Sequence, residues 1–184
     1  MTILDIFLNL EGGWTYHRIL TNPLGELLGT LEGKATITSI GNNTLYYEEA
    51  GKWINALGKE IKTSREYFYR YHQEKNTIEK RFSINQTDTG LFYCLTFEHF
   101  VPQTTIIQAT GSHPCNQDVY QAKYEFLREE NTSAFSKFNL VYMVSGAEKN
   151  YCSATEFSVS RVKRLTIKAA TTPTTTSNIA ILSD

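Results

Sequence analysis

From residue 13 onward, apolar and polar positions alternate with a period of two. That is the repeat of a chain whose successive side chains point to opposite faces of a sheet. The pattern predicts strands over 13–21, 28–39, 44–49, 52–57, 60–72, 77–84, 90–98, 104–110, 118–129, 135–145 and 151–167. Turn-forming residues separate them at Asn22-Pro23, Gly41-Asn42-Asn43, Ala50-Gly51, Asp88-Thr89-Gly90 and Ser145-Gly146. About ten sequential strands with short connections leave two bare sheet edges, and closing the sheet into a barrel removes them. An all-β fold, a single antiparallel barrel, is the predicted architecture, with a two-sheet sandwich as the alternative.

Two segments break the alternation. In residues 1–10, Ile3, Ile6, Phe7 and Leu10 fall on one helical face, which predicts a short N-terminal helix plugging one mouth of the barrel. Residues 169–184 are rich in threonine and read as a tail outside the domain of residues 1–168.

The 184 residues suffice for one domain with its own core, so no disulfide or metal staple is needed. Eleven tyrosines and ten phenylalanines against two methionines favour pleated, half-buried surfaces. A net charge of −1 does not fit a nucleic-acid partner, which calls for a basic excess. Three cysteines, none in a CxxC pair, fit neither a disulfide framework nor a zinc site. No apolar run approaches the ~20 residues of a membrane-spanning helix, so no membrane partner is expected. The apolar start is interrupted by Asp5 and lacks a basic stretch, unlike a signal peptide; a cytoplasmic location is expected.

Parity along the strands assigns faces. Trp14, Tyr16, Arg18 and Leu20 share one; so do Tyr47, Glu49, Gly51 and Trp53, and so do Arg65, Tyr67, Tyr69 and Tyr71. Asp118, Tyr120 and Tyr124 form another row, as do Lys149, Tyr151, Thr155, Phe157 and Arg161. The aromatic members must face the core, so the charges in register with them face it too. That sets Arg18, Arg65, Lys149 and Arg161 against Glu49 and Asp118, a surplus of cations. Buried charges are costly unless paired or hydrogen-bonded, and the hydroxyls of Tyr47, Tyr67, Tyr120 and Tyr151 are suited to that task. Two readings follow: an ion-paired network that fixes register, or a polar pocket whose surplus cations receive a small polar or anionic ligand. Arg65 has a role in each, as partner of Glu49 or as the cation that meets the ligand.

Gly13-Trp14 opening the first strand, with Arg161 near the end of the last, resembles the arrangement of the lipocalin and calycin superfamily. There, a final-strand arginine packs across the tryptophan. An ordered series extends the likeness: Gly13-Trp14-x3-Arg18, Gly29-Thr30-Leu31-x-Gly33-x-Ala35, Leu45-Tyr46-Tyr47-x-Glu49-x-Gly51 and Ser64-Arg65-x-Tyr67-x-Tyr69. It continues with His113-x-Cys115-x2-Asp118-x-Tyr120 and Gly146-x2-Lys149-x-Tyr151-x3-Thr155-x-Phe157. Over roughly residues 8–161 these spacings are similar to a bacterial and fungal domain family of unknown function with a calycin-like barrel. The chain departs from it at Gly146-Ala147, where the family has Gly-Pro, and at Phe157-x-Val159, where the family has Tyr-x-Arg. The resemblance implies the fold and names no reaction.

The candidate ligand-binding set is Arg18, Glu49, Arg65, Tyr67, His113, Asp118, Tyr120, Lys149 and Tyr151. His113-x-Cys115-x2-Asp118 lacks the second His or Cys pair that zinc requires, and no cofactor is expected. A haem held by one histidine, His113 or His17, is a minor alternative. A catalytic alternative has Arg65, Glu49 and Tyr67, with Tyr120 and Lys149, holding a carboxylate and moving a proton, as in certain calycin-like decarboxylases. The remaining alternative is a structural or interaction module.

Overall fold

Thr2 starts the helix α1 (Ile3–Asn9) through a reciprocal cap: its hydroxyl accepts from the Asp5 N–H, and the Asp5 carboxylate accepts from the Thr2 N–H. The computed structural model describes residues 1–84, 90–98, 105–129 and 134–160. Ile3, Ile6, Phe7 and Leu10 are buried as the helical face required, and Phe7 packs 5.8 Å from the Tyr71 ring.

Eleven strands follow among the described residues: β1 (Gly12–Thr21), β2 (Leu27–Ser39), β3 (Thr44–Asn55), β4 (Glu60–His72), β5 (Thr77–Arg81), β6 (Leu91–Cys94), β7 (Thr96–Phe97), β8 (Ile106–Cys115), β9 (Asp118–Arg128), β10 (Phe135–Gly146) and β11 (Tyr151–Val159). They form one antiparallel sheet in the order β6-β5-β4-β3-β2-β1-β11-β10-β9-β8-β7. Each strand lies beside its sequence neighbour, except that β1 pairs with β11, Trp14 opposite Val159. The two ends of the sheet, β6 and β7, are separated by Leu95 alone. One bent strand thus pairs with β5 in its first half and with β8 in its second, and this closes the barrel. Gly111 of β8 makes the crossing possible, because a side chain there would occupy the Tyr93 ring.

Two sequence expectations change. Ala50-Gly51 is not a turn; β3 runs straight through it. Gly51 lies opposite Gly33 of β2, and the Tyr16 phenol rests over the pair, so the glycine marks a close approach rather than a bend. A methyl group at Gly33 would collide with the Ala50 carbonyl and the Gly51 Cα, both backbone. Gly33→Ala is expected to lower stability by about 1–3 kcal/mol, read as the urea midpoint. The strand expected over 104–110 instead runs to Cys115 and turns at Asn116, which has a φ of 56°. Arg161, the end of the last strand and the threonine-rich segment lie outside the described residues. Among the described residues, no helix is long and apolar enough to cross a membrane.

The α1 end of the barrel is filled with rings: Trp14 meets Phe138 edge-on at 4.9 Å, and Phe138 stacks on Phe157 at 4.3 Å. The Trp14 indole N–H donates to the Leu10 carbonyl at 2.9 Å, tying the helix to this end. The opposite end holds the site.

Candidate functional site

A cavity of about 330 Å³ opens at the end of the barrel away from α1. Its wall is chiefly aromatic and aliphatic, including Leu31, Trp53, Ile61, Tyr67, Phe92 and Tyr142, with polar groups at a few points. The interior expected to be polar-lined is therefore an apolar chamber above a polar floor.

The floor begins with Arg18. On β2 the inward positions between β1 and β3 are the small residues Gly33 and Ala35, so long side chains from the flanking strands meet above them. Arg18 Nη1 and Nη2 donate to the two Glu49 oxygens at 2.9 and 2.8 Å, and Nε donates to Thr155 Oγ1 at 2.8 Å. The Tyr47 hydroxyl donates to the same carboxylate. Burial works against the charge on Glu49, but Arg18 and Tyr47 together hold its pKa below the usual carboxylate value. Both members of the pair are buried. This is a closed, bidentate ion pair.

Arg65 stands directly opposite Glu49 in the β3–β4 register, on the cavity wall and exposed. Parity gave its face correctly, but its expected partner belongs to Arg18. Among the described residues, Arg65 has no carboxylate within ion-pair distance; the Tyr67 phenol, on the same face of the strand, is a hydrogen-bonding neighbour. Tyr67 and Tyr151 line the same cavity.

Lys149 is at the rim, not inside: its side chain is exposed, and it donates to the Tyr120 hydroxyl at 3.0 Å. Asp118 is buried but occupied, because its Oδ1 accepts the backbone N–H groups of Glu148 and Lys149 and so ties down the β10–β11 connection. His113 is wedged edge-on against Phe82 and Phe92, at ring distances of 5.9 and 5.1 Å. His17 points outward. The nine candidates thus divide: Arg65, Tyr67, Tyr120 and Tyr151 border the cavity, Arg18 and Glu49 form its floor, and Asp118, Lys149 and His113 support the surrounding structure.

Lys80 on β5 is the group that sequence reasoning missed. Its side chain enters the barrel, the residue is only 3% exposed, and Nζ lies 4.1 Å from the Tyr67 ring centre and 3.0 Å from the Tyr142 hydroxyl. Four phenols continue from there: Tyr142 to Tyr93 at 2.5 Å, Tyr93 to Tyr124 at 2.7 Å, and Tyr124 to Tyr69 at 3.4 Å. Burial, then the nearby Arg18 and Arg65, press the Lys80 pKa down to about 7 against the opposing pull of Glu49. The signal was present in the sequence, since Ile78 and Lys80 share a strand face. The run Glu79-Lys80-Arg81 disguised it as a solvated surface. Glu79 and Arg81 in fact pair on the other face at 2.8 Å, and His72 Nε2 lies 3.0 Å from the same carboxylate.

Strand order, closure and an internal chamber define a calycin-like β-barrel. Residues 10–159 match the family of unknown function DUF6314, and the chain belongs to that family. It is similar in fold to the S-type phycobiliprotein lyase CPES from Guillardia theta, with a TM-score of 0.60 and 11% identity over 89% of this chain and 95% of that one. A redesigned β-barrel, mFAP1, solved bound to DFHBI, overlaps at a TM-score of 0.32 with 14% identity over 83% of this chain and 96% of that one. No curated protein matches the chain in sequence.

Proposed function

We propose that the protein binds a small molecule at the barrel mouth, and that this molecule is flat, largely apolar and carries a negative charge. The observation that carries this reading is Arg65: a guanidinium on the wall of an aromatic chamber, with the carboxylate opposite it already engaged by Arg18. Trp53, Phe92 and Tyr67 give a ring an aromatic wall to pack on, and Arg65 offers paired donors to a carboxylate or phosphate. The catalytic reading through Glu49 loses its base, because both oxygens of that carboxylate are held in the ion pair.

A thermal-shift screen of aromatic carboxylates, small aliphatic carboxylates and phosphate esters tests this reading. A compound at ~100 times its Kd adds about 2.7 kcal/mol, a clear rise in Tm. Arg65→Met is expected to fold normally and to remove the rise for charged compounds. A broad anionic panel without a stabilising compound would return the barrel to a structural or interaction role, and shifts that ignore Arg65 would overturn the anionic end of the ligand.

A further inference from the structure

We propose that Lys80 is a carbonyl-reactive amine: an aldehyde or ketone bearing a negative charge enters the mouth cavity, and Lys80 Nζ condenses with its carbonyl carbon to form an imine. The proposal rests on the reading of the cavity as an anion-binding chamber and names the ligand's second functional group.

Three observations converge on it. Among the described residues, no carboxylate lies within ion-pair distance of Lys80, and Glu49, the nearest acidic influence, is locked to Arg18 and Tyr47. Next, the tyrosine chain favours a neutral amine. If Lys80 is charged it can only donate to Tyr142, every phenol then donates away from it, and the Tyr69 proton at the far end is left without an acceptor in the chain. If Lys80 is neutral, the donations run from Tyr69 through Tyr124, Tyr93 and Tyr142 to the Nζ lone pair, and all four protons are accepted. Finally, Tyr67, Phe92 and Tyr142 belong both to the cavity wall and to the surroundings of Nζ, so a single layer of rings separates amine from chamber. Rotation of the four-carbon stem is the motion that would bring Nζ to the chamber.

The chemistry closes with groups already in place. The nitrogen lone pair forms the C–N bond while the carbonyl π pair moves to oxygen, which takes the Tyr142 proton. The nitrogen returns a proton to Tyr142, giving a carbinolamine. The carbinolamine hydroxyl then departs as water with the second N–H proton, leaving the C=N bond and Tyr142 protonated as it began. Nothing is oxidised or reduced. Burial raises the Tyr142 pKa well above that of a free phenol, so it begins the cycle protonated. The groups that bear on the amine's own protonation are Arg18 on β1, Tyr47 and Glu49 on β3, Arg65, Tyr67 and Tyr69 on β4, Tyr93 on β6, Tyr124 on β9 and Tyr142 on β10. With its pKa near 7, roughly half of Lys80 is the free amine at neutral pH, against fewer than about one in a thousand for an exposed lysine.

The test uses 4-formylbenzoate with sodium cyanoborohydride at pH 7, followed by peptide mapping. Parallel samples receive benzaldehyde, or the unreactive 4-methylbenzoate followed by tryptophan emission through Trp53 on the cavity wall. Adduct at Lys80 is expected at least on the order of tenfold above that at exposed lysines such as Lys52, burial of the amine offsetting part of the much larger difference in free-amine fraction. Lys80→Met should lose that adduct while keeping its strand-type circular dichroism. Arg65→Met should slow labelling by 4-formylbenzoate but not by benzaldehyde. Adduct confined to exposed lysines, with 4-methylbenzoate still perturbing the emission, overturns the imine and leaves the anion site standing. Neither a Lys80 adduct nor a response to 4-methylbenzoate overturns both. Lys80 labelling that is indifferent to the probe's charge supports the reactive amine and overturns the anionic ligand.

Discussion

At pH 7 the Lys80→Met variant is expected to be more stable than the wild type, by about 2–4 kcal/mol in urea unfolding. The native pKa of Lys80 is depressed from 10.5 to about 7, so between those values the unfolded chain holds about one more proton than the native one. Stability therefore rises with pH across that window, by about 1.36 kcal/mol per unit, and is lower by the full amount below pH 7. Methionine removes the penalty, although it also gives up the contact with Tyr142, which keeps the gain under the ideal value. The alkaline side works in the opposite sense. Burial raises the pKa values of Tyr47, Tyr69, Tyr93, Tyr124 and Tyr142, so above about pH 10 the unfolded chain loses protons that the native state retains, and stability falls. Wild type should show a maximum near pH 10; Lys80→Met should show a plateau from neutral pH followed by the same fall. A rise between pH 7 and 10 that survives in Lys80→Met would mean that another group carries the proton.

The second large effect belongs to the pair in the floor. Arg18→Met leaves Glu49 buried with, among the described residues, only the Tyr47 hydroxyl in direct contact, and is expected to cost about 3–5 kcal/mol. Glu49→Gln in the same background should recover part of that loss, with a coupling energy of about 1–3 kcal/mol across the double-mutant cycle. Arg65→Met, by contrast, is expected to change stability by less than about 1 kcal/mol, because its guanidinium is exposed and solvent screens its attraction to Glu49. If Arg65→Met proves the costlier of the two substitutions, the partner assignment at Glu49 is wrong.

Faces were legible in the sequence where a strand mixes large apolar groups with few charges. Trp14, Tyr16 and Arg18 on β1, and Ser153, Thr155 and Phe157 on β11, point inward as alternation requires. Partners were not legible, because parity states which face a residue occupies and not which strand lies across from it. Arg18 reaches Glu49 only because β2 places Gly33 and Ala35 between them, a fact of register. The Ala50-Gly51 pair shows a second limit: glycine required for a close approach and glycine required for a turn are the same letter. Lys80 shows a third. In a strand buried on both faces, successive residues Ile78, Glu79, Lys80 and Arg81 are all buried, so the charge run that ordinarily marks a wet surface marks a covered strand.

The closure has a consequence for how the chain folds. Most of the sheet is a succession of hairpins that form from local segments, but Arg18 and Thr155, bonded across the β1–β11 pair, are 137 residues apart. The bent strand through Leu95 can seat against β8 only when both halves of the meander are in place. Such distant pairings put the slow, entropy-limited step at the end and place the folding time of a barrel like this in the millisecond-to-second range. Until that step Lys80 stands in water as an ammonium. Sealing the seams strips it of solvent, so above neutral pH the final act of folding expels a proton into the medium.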